Sequence, residues 1–192
     1  MKPVVRVIEE LILENTSPTQ IRKITLSGRD LDICQRNAEI RQRQIGQSTM
    51  SSFAYHLQGV IGEAAVLRAF GAPLRFLHKD EDFGVDLVIG TIAVDVKCTS
   101  GPMPKCNLLL DADKEVRADV LMLARTDEPF GLREENDSLE VDLLGWIERE
   151  TFMRDAKTFK TRQGLKRRLM NTELRPIEEF ATQLEQLIDI DA

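Results

Sequence analysis

Apolar residues along the chain recur with two periods, and the change from one to the other marks its elements. Phe53, Leu57, Val60, Ile61, Ala64, Leu67 and Phe70 return every three or four residues, which predicts a helix from about Ser52 to Phe70 with one buried face. Gly71 and Pro73 follow, as such residues do beyond a helix end. Gly59 and Gly62 lie beside the stripe. Each weakens a helix, so close approach of another backbone is expected there. The period then falls to two. Val85–Ile89 and Ile92–Cys98 are apolar, β-branched runs separated only by Gly90-Thr91, the pattern of a hairpin with a type II′ loop. Ile21–Leu26, Asn107–Leu110, Ala118–Ala124 and Leu139–Trp146 read as further strands. Ser27 and Asp30 both suit the N-cap of a polar helix from Leu31 to about Gln47. Val4–Leu13 fits helix and strand equally and ends at Asn15-Thr16-Ser17-Pro18. The C-terminal third reads as mostly helical, from Glu148 to about Lys157 and from Pro176 to Ile188. The alternation of helices and strands predicts an α/β fold with a central mixed β-sheet flanked by helices.

Composition narrows this picture. A chain of 192 residues without repeat or linker is expected to form one domain, 1–192. Within it, 1–48 is an N-terminal strand and helix extension, 50–147 the core and 148–192 a C-terminal helical region. No apolar run approaches the ~20 residues of a membrane span, so no membrane partner is expected. Arg6, Glu9, Glu10 and Glu14 make the N-terminus unlike a secretory or transit peptide. The three cysteines (Cys34, Cys98 and Cys106) form no CxxC pair. Both features suggest a cytoplasmic protein with reduced thiols and no structural zinc. The net charge of −6 excludes a purely electrostatic nucleic-acid binder, yet the charge is unevenly placed. Residues 157–168 carry Lys157, Lys160, Arg162, Lys166, Arg167 and Arg168 with no acid, whereas the last 24 residues hold one Arg against six acids.

The hairpin carries the chemistry. With Gly90 and Thr91 as the loop, Ile89 pairs with Ile92, Val88 with Ala93, Leu87 with Val94 and Asp86 with Asp95. Asp86 and Asp95 would then face each other with Cβ atoms about 4.5–5.5 Å apart. Lys97, two residues on, projects from the same face, and its cross-strand neighbour is Gly84. Val85, Leu87, Ile89, Val94 and Val96 point the other way. Opposed carboxylates repel and raise one another's pKa unless a cation lies between them. A hard divalent ion meets that need, because Mg²⁺ is held by one or two carboxylates and keeps several waters. It also polarises a phosphoryl oxygen and acidifies a bound water. A neighbouring lysine can orient that water or offset transition-state charge. The pattern therefore suggests metal-assisted phosphodiester hydrolysis. Glu63, three residues after Val60 and four before Leu67, puts a carboxylate on the apolar helix stripe, where it needs a partner.

Gly84-Val85-Asp86, a short turn, then Asp95-Val96-Lys97, preceded by a helix bearing Gly62-Glu63, resembles the PD-(D/E)XK nuclease superfamily. The resemblance covers about residues 50–125. It implies a restriction-endonuclease-like αβββαβ core, with Asp86 and Asp95 as metal-binding acids, Lys97 as the catalytic lysine and Glu63 as the acid many members add to the metal site. Val85 stands in place of the proline of the family name, and the second acid is Asp where Glu is commoner. The order GVIGEAAVLRAFG, VDVKCT, ADVLML, VDLLGWIE further resembles small phage or prophage members; the cytoplasm would then be that of the host. A second acid-x-Lys triplet, Asp155-Ala156-Lys157, lacks a hairpin that would bring two acids together.

The reading that follows is a deoxyribonuclease dependent on Mg²⁺ or Mn²⁺, with DNA as its partner. The alternative is the same fold without turnover, a nucleic-acid-binding or partner-binding module. Residues 157–168 would contact the DNA backbone, with Arg41, Arg36 and Arg43 as further candidates. Cutting both strands needs two sites, which suits a homodimer. No GxGxxG or GxxxxGK[ST] pattern occurs, so no nucleotide cofactor is expected. Trp146 and His56 read as structural, His78 and Lys79 as an ordinary loop, and Cys98 as facing the core.

Overall fold

A computed structural model describes residues 21–45, 50–76, 85–103, 105–127, 138–162 and 164–190. The Val4–Leu13 segment, the break at 15–18, His78, Lys79 and Gly84 lie outside these residues. The chain is α/β. Its main sheet has five strands in the order β1 (Arg22–Leu26), β6 (Leu139–Glu148), β5 (Val120–Arg125), β3 (Ile92–Thr99), β2 (Leu87–Ile89). β3 and β5 run parallel and the other neighbours antiparallel, so the sheet is mixed.

Two helices precede the hairpin. Helix α1 (Gly28–Ile45) starts three residues before the expected Leu31 because Ser27 and Asp30 act together as its cap. The Asp30 amide donates to Ser27 Oγ at 3.3 Å, and the Ser27 amide donates to Asp30 Oδ2 at 3.1 Å. This reciprocal box satisfies two amides that the first helical turn leaves unpaired. Helix α2 (Met50–Ala69) ends as its sequence predicts, with Gly71 at φ 62 and the Ala72 amide bonded back to the Leu67 carbonyl at 2.8 Å. Gly62 is where the helix meets the sheet, since a Cβ there would lie 2.7 Å from Cys98 Cβ. Gly59 has nothing within 4 Å of such an atom, contrary to the expected close approach.

The two faces of the main sheet are covered differently. Val94, Val96, Val120, Met122 and Ala124 form one core with α2, joined by Ile177, Phe180 and Leu184 of the C-terminal helix α4 (Ile177–Ile190). On the other face Leu121, Leu123 and Ile147 pack with Leu108, Leu110 and Leu169. These belong to a second, antiparallel sheet of order β4 (Asn107–Asp111), β8 (Gly164–Met170), β7 (Lys157–Thr161). Phe152 of the short helix α3 (Arg149–Asp155) closes that core.

The C-terminal third therefore departs from the expected helical region. β6 runs through Glu148, α3 is short, and the basic run folds as the β7–β8 hairpin. Lys-Thr-Phe-Lys-Thr and Leu-Lys-Arg-Arg-Leu alternate around Gly164 at φ 117. Cations at nearly every second place hide that period from an apolar count, while the buried Leu169 pairs with Leu108 and anchors the hairpin. Trp146 is fully buried, its indole N–H bonds the Pro176 carbonyl at 2.9 Å, and its ring lies 5.2 Å from that of Phe180. Among the described residues no helix is long and apolar enough to cross a membrane.

Candidate functional site

The β2–β3 hairpin has the register its two-residue loop predicts, with Leu87 opposite Val94, Val88 opposite Ala93 and Ile89 opposite Ile92. Gly90, first in the loop, has φ 63, which a side chain would resist. β2 is shorter than expected and starts at Leu87. The Asp86 amide bonds the Val94 carbonyl at 3.0 Å, and Asp86 Oδ2 accepts the Val96 amide at 2.8 Å. A short aspartate side chain that bonds backbone in this way replaces a ladder partner and ends the strand.

Asp86, Asp95 and Lys97 nonetheless converge. Lys97 Nζ contacts Asp95 Oδ1 directly and lies 3.9 Å from Asp86 Oδ2. Asp95 is 5% exposed, while the side chains of Asp86 and Lys97 are 29% and 30% exposed, so the group opens to solvent on the Asp86 side. Burial, with the charges of Asp95 and Glu63, pushes the Asp86 carboxyl up to about 8 against the pull of Lys97. Burial also works to raise Asp95, but Lys97 and a hydrogen bond from Asp86 outweigh it and hold that carboxyl below its usual range. For Lys97 the burial that would release its proton is outweighed by Asp95 and Asp86, so the ammonium is retained. The trio thus carries one ammonium, one carboxylate and one carboxyl that gives up its proton only in mild base.

Glu63 lies within electrostatic reach of this group, its charge acting on Asp86 and Lys97, but its two oxygens are held by another partner. Gly62 beside it touches Cys98, which points to the α2 face, whereas Asp95 and Lys97 alternate to the opposite face. In register beside them on β5 stand Leu121 and Leu123, members of the second core. Arg41 takes both Glu63 oxygens, at 2.6 and 2.7 Å. That bidentate pair, with Glu63 2% exposed, ties α1 to α2. Burial raises the Glu63 carboxyl, opposed chiefly by Arg41. The same contact places Arg41 on a protein carboxylate. Among the described residues no three His, Cys, Asp or Glu side chains gather as a metal-holding group. Two closely set carboxylates answered by a single lysine are still a donor set that fits a hard divalent ion, which needs only one or two carboxylates besides water.

The hairpin divides the basic run between two faces. Lys157, Lys160, Arg162 and Arg168 are exposed, Lys166 pairs with Asp111, and Arg167 lies 2.7 Å from Met153 Sδ. Arg36 bonds the Asp32 carbonyl and Arg43 reaches Glu39 at 3.7 Å, each within α1. Burial pushes the Cys34 and Cys98 thiols up to about 12 and raises that of Cys106, so none is disposed to act as a thiolate near neutral pH. Burial and Arg41 lower the His56 pKa, which keeps its ring neutral.

Nothing in the local sequence pointed to Lys114. It leaves β4 in a turn, its amide bonded to the Asp111 carbonyl at 3.2 Å, and its charge acts on Asp95. Its context, Asp111-Ala112-Asp113-Lys114, reads as an ordinary polar turn; only the packing of the second sheet brings it near the trio. Comparison with models of known protein families, with curated proteins and with solved structures gives no match.

Proposed function

We propose that the chain is a divalent-metal-dependent nuclease that hydrolyses DNA phosphodiester bonds. The observation that carries this is the convergence of Asp86, Asp95 and Lys97 at the open end of the β2–β3 hairpin. A carboxyl that burial, with the charges of Asp95 and Glu63, pushes up to about 8 suits a site completed by a cation from solution. A Mg²⁺ or Mn²⁺ held by Asp86 and Asp95 would polarise a phosphoryl oxygen and acidify the attacking water. Lys97, kept protonated by its neighbours, donates to that water or to the phosphoryl oxygens as charge develops on them. Asp95, anchored in the sheet, positions Lys97. Asp86, at the solvent side, is the group whose proton must leave before the cation binds.

The arrangement of α2 against the sheet, then the β2–β3 hairpin, then parallel β5 beside β3, supports a restriction-endonuclease-like core. One element differs. The αβββαβ order calls for a helix before the parallel strand, and here the connection from β3 to β5 carries β4 instead. Glu63 has no part in this mechanism while Arg41 holds it. If it is a ligand, Glu63→Gln lowers metal affinity; if it serves packing alone, the substitution lowers only the melting midpoint.

The direct Lys97–Asp95 contact also favours a second reading, a nucleic-acid-binding module without turnover, because that pair is neutral by itself. Both readings are tested by incubating linear, circular and branched DNA with the protein in Mg²⁺, Mn²⁺ or EDTA. Cleavage with either metal, absent in EDTA and in Asp86→Ala, is the expected result. Intact DNA on every substrate, with no metal uptake by calorimetry, overturns the nuclease.

A further inference from the structure

We infer that the outer face of the second sheet is a platform for unpaired nucleic acid, so that the preferred substrate is a single strand or a splayed end. This rests on the nucleic-acid reading above and narrows it to a strand class. Leu108, Leu110 and Leu169 are buried inward, so strand alternation directs Leu109, Arg168, Met170, Lys166, Lys157 and Phe159 to the outer face. The register sets Lys157, Arg168 and Leu109 in one row across the three strands, and Phe159, Lys166 and Asp111 in the next. The Arg168 guanidinium lies over the Phe159 ring, 5.1 Å from its centre. Leu109 is 43% and Met170 49% exposed.

Charge complementarity names a polyanion as the occupant. The face holds three cations and one carboxylate on a molecule whose net charge is −6, so it attracts what the remaining surface repels. The apolar part decides between duplex and single strand. A duplex offers a flat surface only phosphates and sugars, which leaves Phe159, Leu109 and Met170 with nothing to bury against. Unpaired bases present their faces, and a ring capped by a guanidinium is a surface on which they stack in any sequence. The sheet also stands on the side of the main sheet from which Asp95 and Lys97 project, because its inner leucines pack on Leu121 and Leu123. A strand laid on the platform therefore runs on the same side as the trio.

The test is fluorescence polarisation of the full chain in EDTA, which prevents cleavage, with a labelled mixed-sequence DNA strand and with that strand annealed to its complement. The strand should bind at least about tenfold more tightly than the duplex. Phe159→Leu, which keeps apolar volume and removes the ring, should weaken strand binding by at least about fivefold and leave duplex binding alone. Phe159→Tyr should retain it. Equal affinity for strand and duplex, or no effect of Phe159→Leu, overturns the inference. So does a dimer in sedimentation that Leu109→Glu dissociates, which would give the face to a second copy of the chain. Ring-dependent binding without metal-dependent cleavage sinks the nuclease and leaves the platform standing. Cleavage with ring-independent binding does the reverse.

Discussion

Asp86 and Asp95 are the same amino acid nine positions apart, and their carboxyls are moved in opposite directions. Asp95 touches Lys97 directly, whereas Asp86 bears its burial with the weaker share of the lysine and the repulsion of its neighbour. Folding favours the neutral form of Asp86, so its stabilising contribution is complete below the ordinary value of 3.8 and is lost as pH rises to about 8. For Asp95 the contribution is present above 3.8 and is lost in acid, as pH falls through its lowered value. Asp86→Asn keeps an oxygen for the Val96 amide and removes the charge. The wild-type melting midpoint should therefore fall relative to this variant as pH climbs toward about 8. A difference of about 1 kcal/mol would read as about 2–4 °C. Mg²⁺ should narrow the gap by binding wild type alone; a gap independent of pH would mean that Asp86 is ionised throughout. For Lys97→Ala, cleavage should drop by about 10²–10³ while calorimetric metal binding persists. Undiminished turnover would remove the lysine from the mechanism.

At the scale of elements, the two glycines of α2 separate packing from propensity. Gly62→Ala would drive a methyl into Cys98, and overpacking of this kind costs about 1–3 kcal/mol. Gly59→Ala meets nothing and should stabilise the helix by about 0.5–1 kcal/mol. Urea unfolding of both variants checks the pair; equal effects would mean that α2 does not sit on β3 through Gly62. The hairpin behaves similarly. Its loop sets a register that the backbone obeys up to Leu87, and beyond that point a side-chain hydrogen bond to Asp86 takes over.

Over the whole molecule, charge is unevenly distributed. The basic β7–β8 hairpin projects from a protein that is otherwise acidic, so association with a polyanion should depend steeply on salt. Reversing Lys157 and Arg168 to glutamate, both exposed on the outer face of the second sheet, should lower the slope of log affinity against log salt by about 0.7 for each single-strand phosphate no longer neutralised. An unchanged slope would place the binding surface elsewhere.

Much was legible from local pattern. The helix over 52–70, the hairpin register as far as Leu87 and the shared face of Asp95 and Lys97 follow from neighbours in the chain: a stripe every three or four residues, and a loop too short to allow another pairing. Asp86 stands outside the ladder and is set by its bond to the Val96 amide. The basic run escapes this logic because its own residues favour neither helix nor strand. Its state was decided by Leu169 finding Leu108, sixty-one positions away. Glu63 announced only that a buried carboxylate needs a partner; that Arg41 is the partner depends on how α1 crosses α2. Lys114 reaches Asp95 because one sheet packs on another. Local sequence thus determined which groups can meet across the hairpin, and tertiary packing decided which charges surround them, since the energy of a buried charge depends on neighbours that only the folded chain brings near.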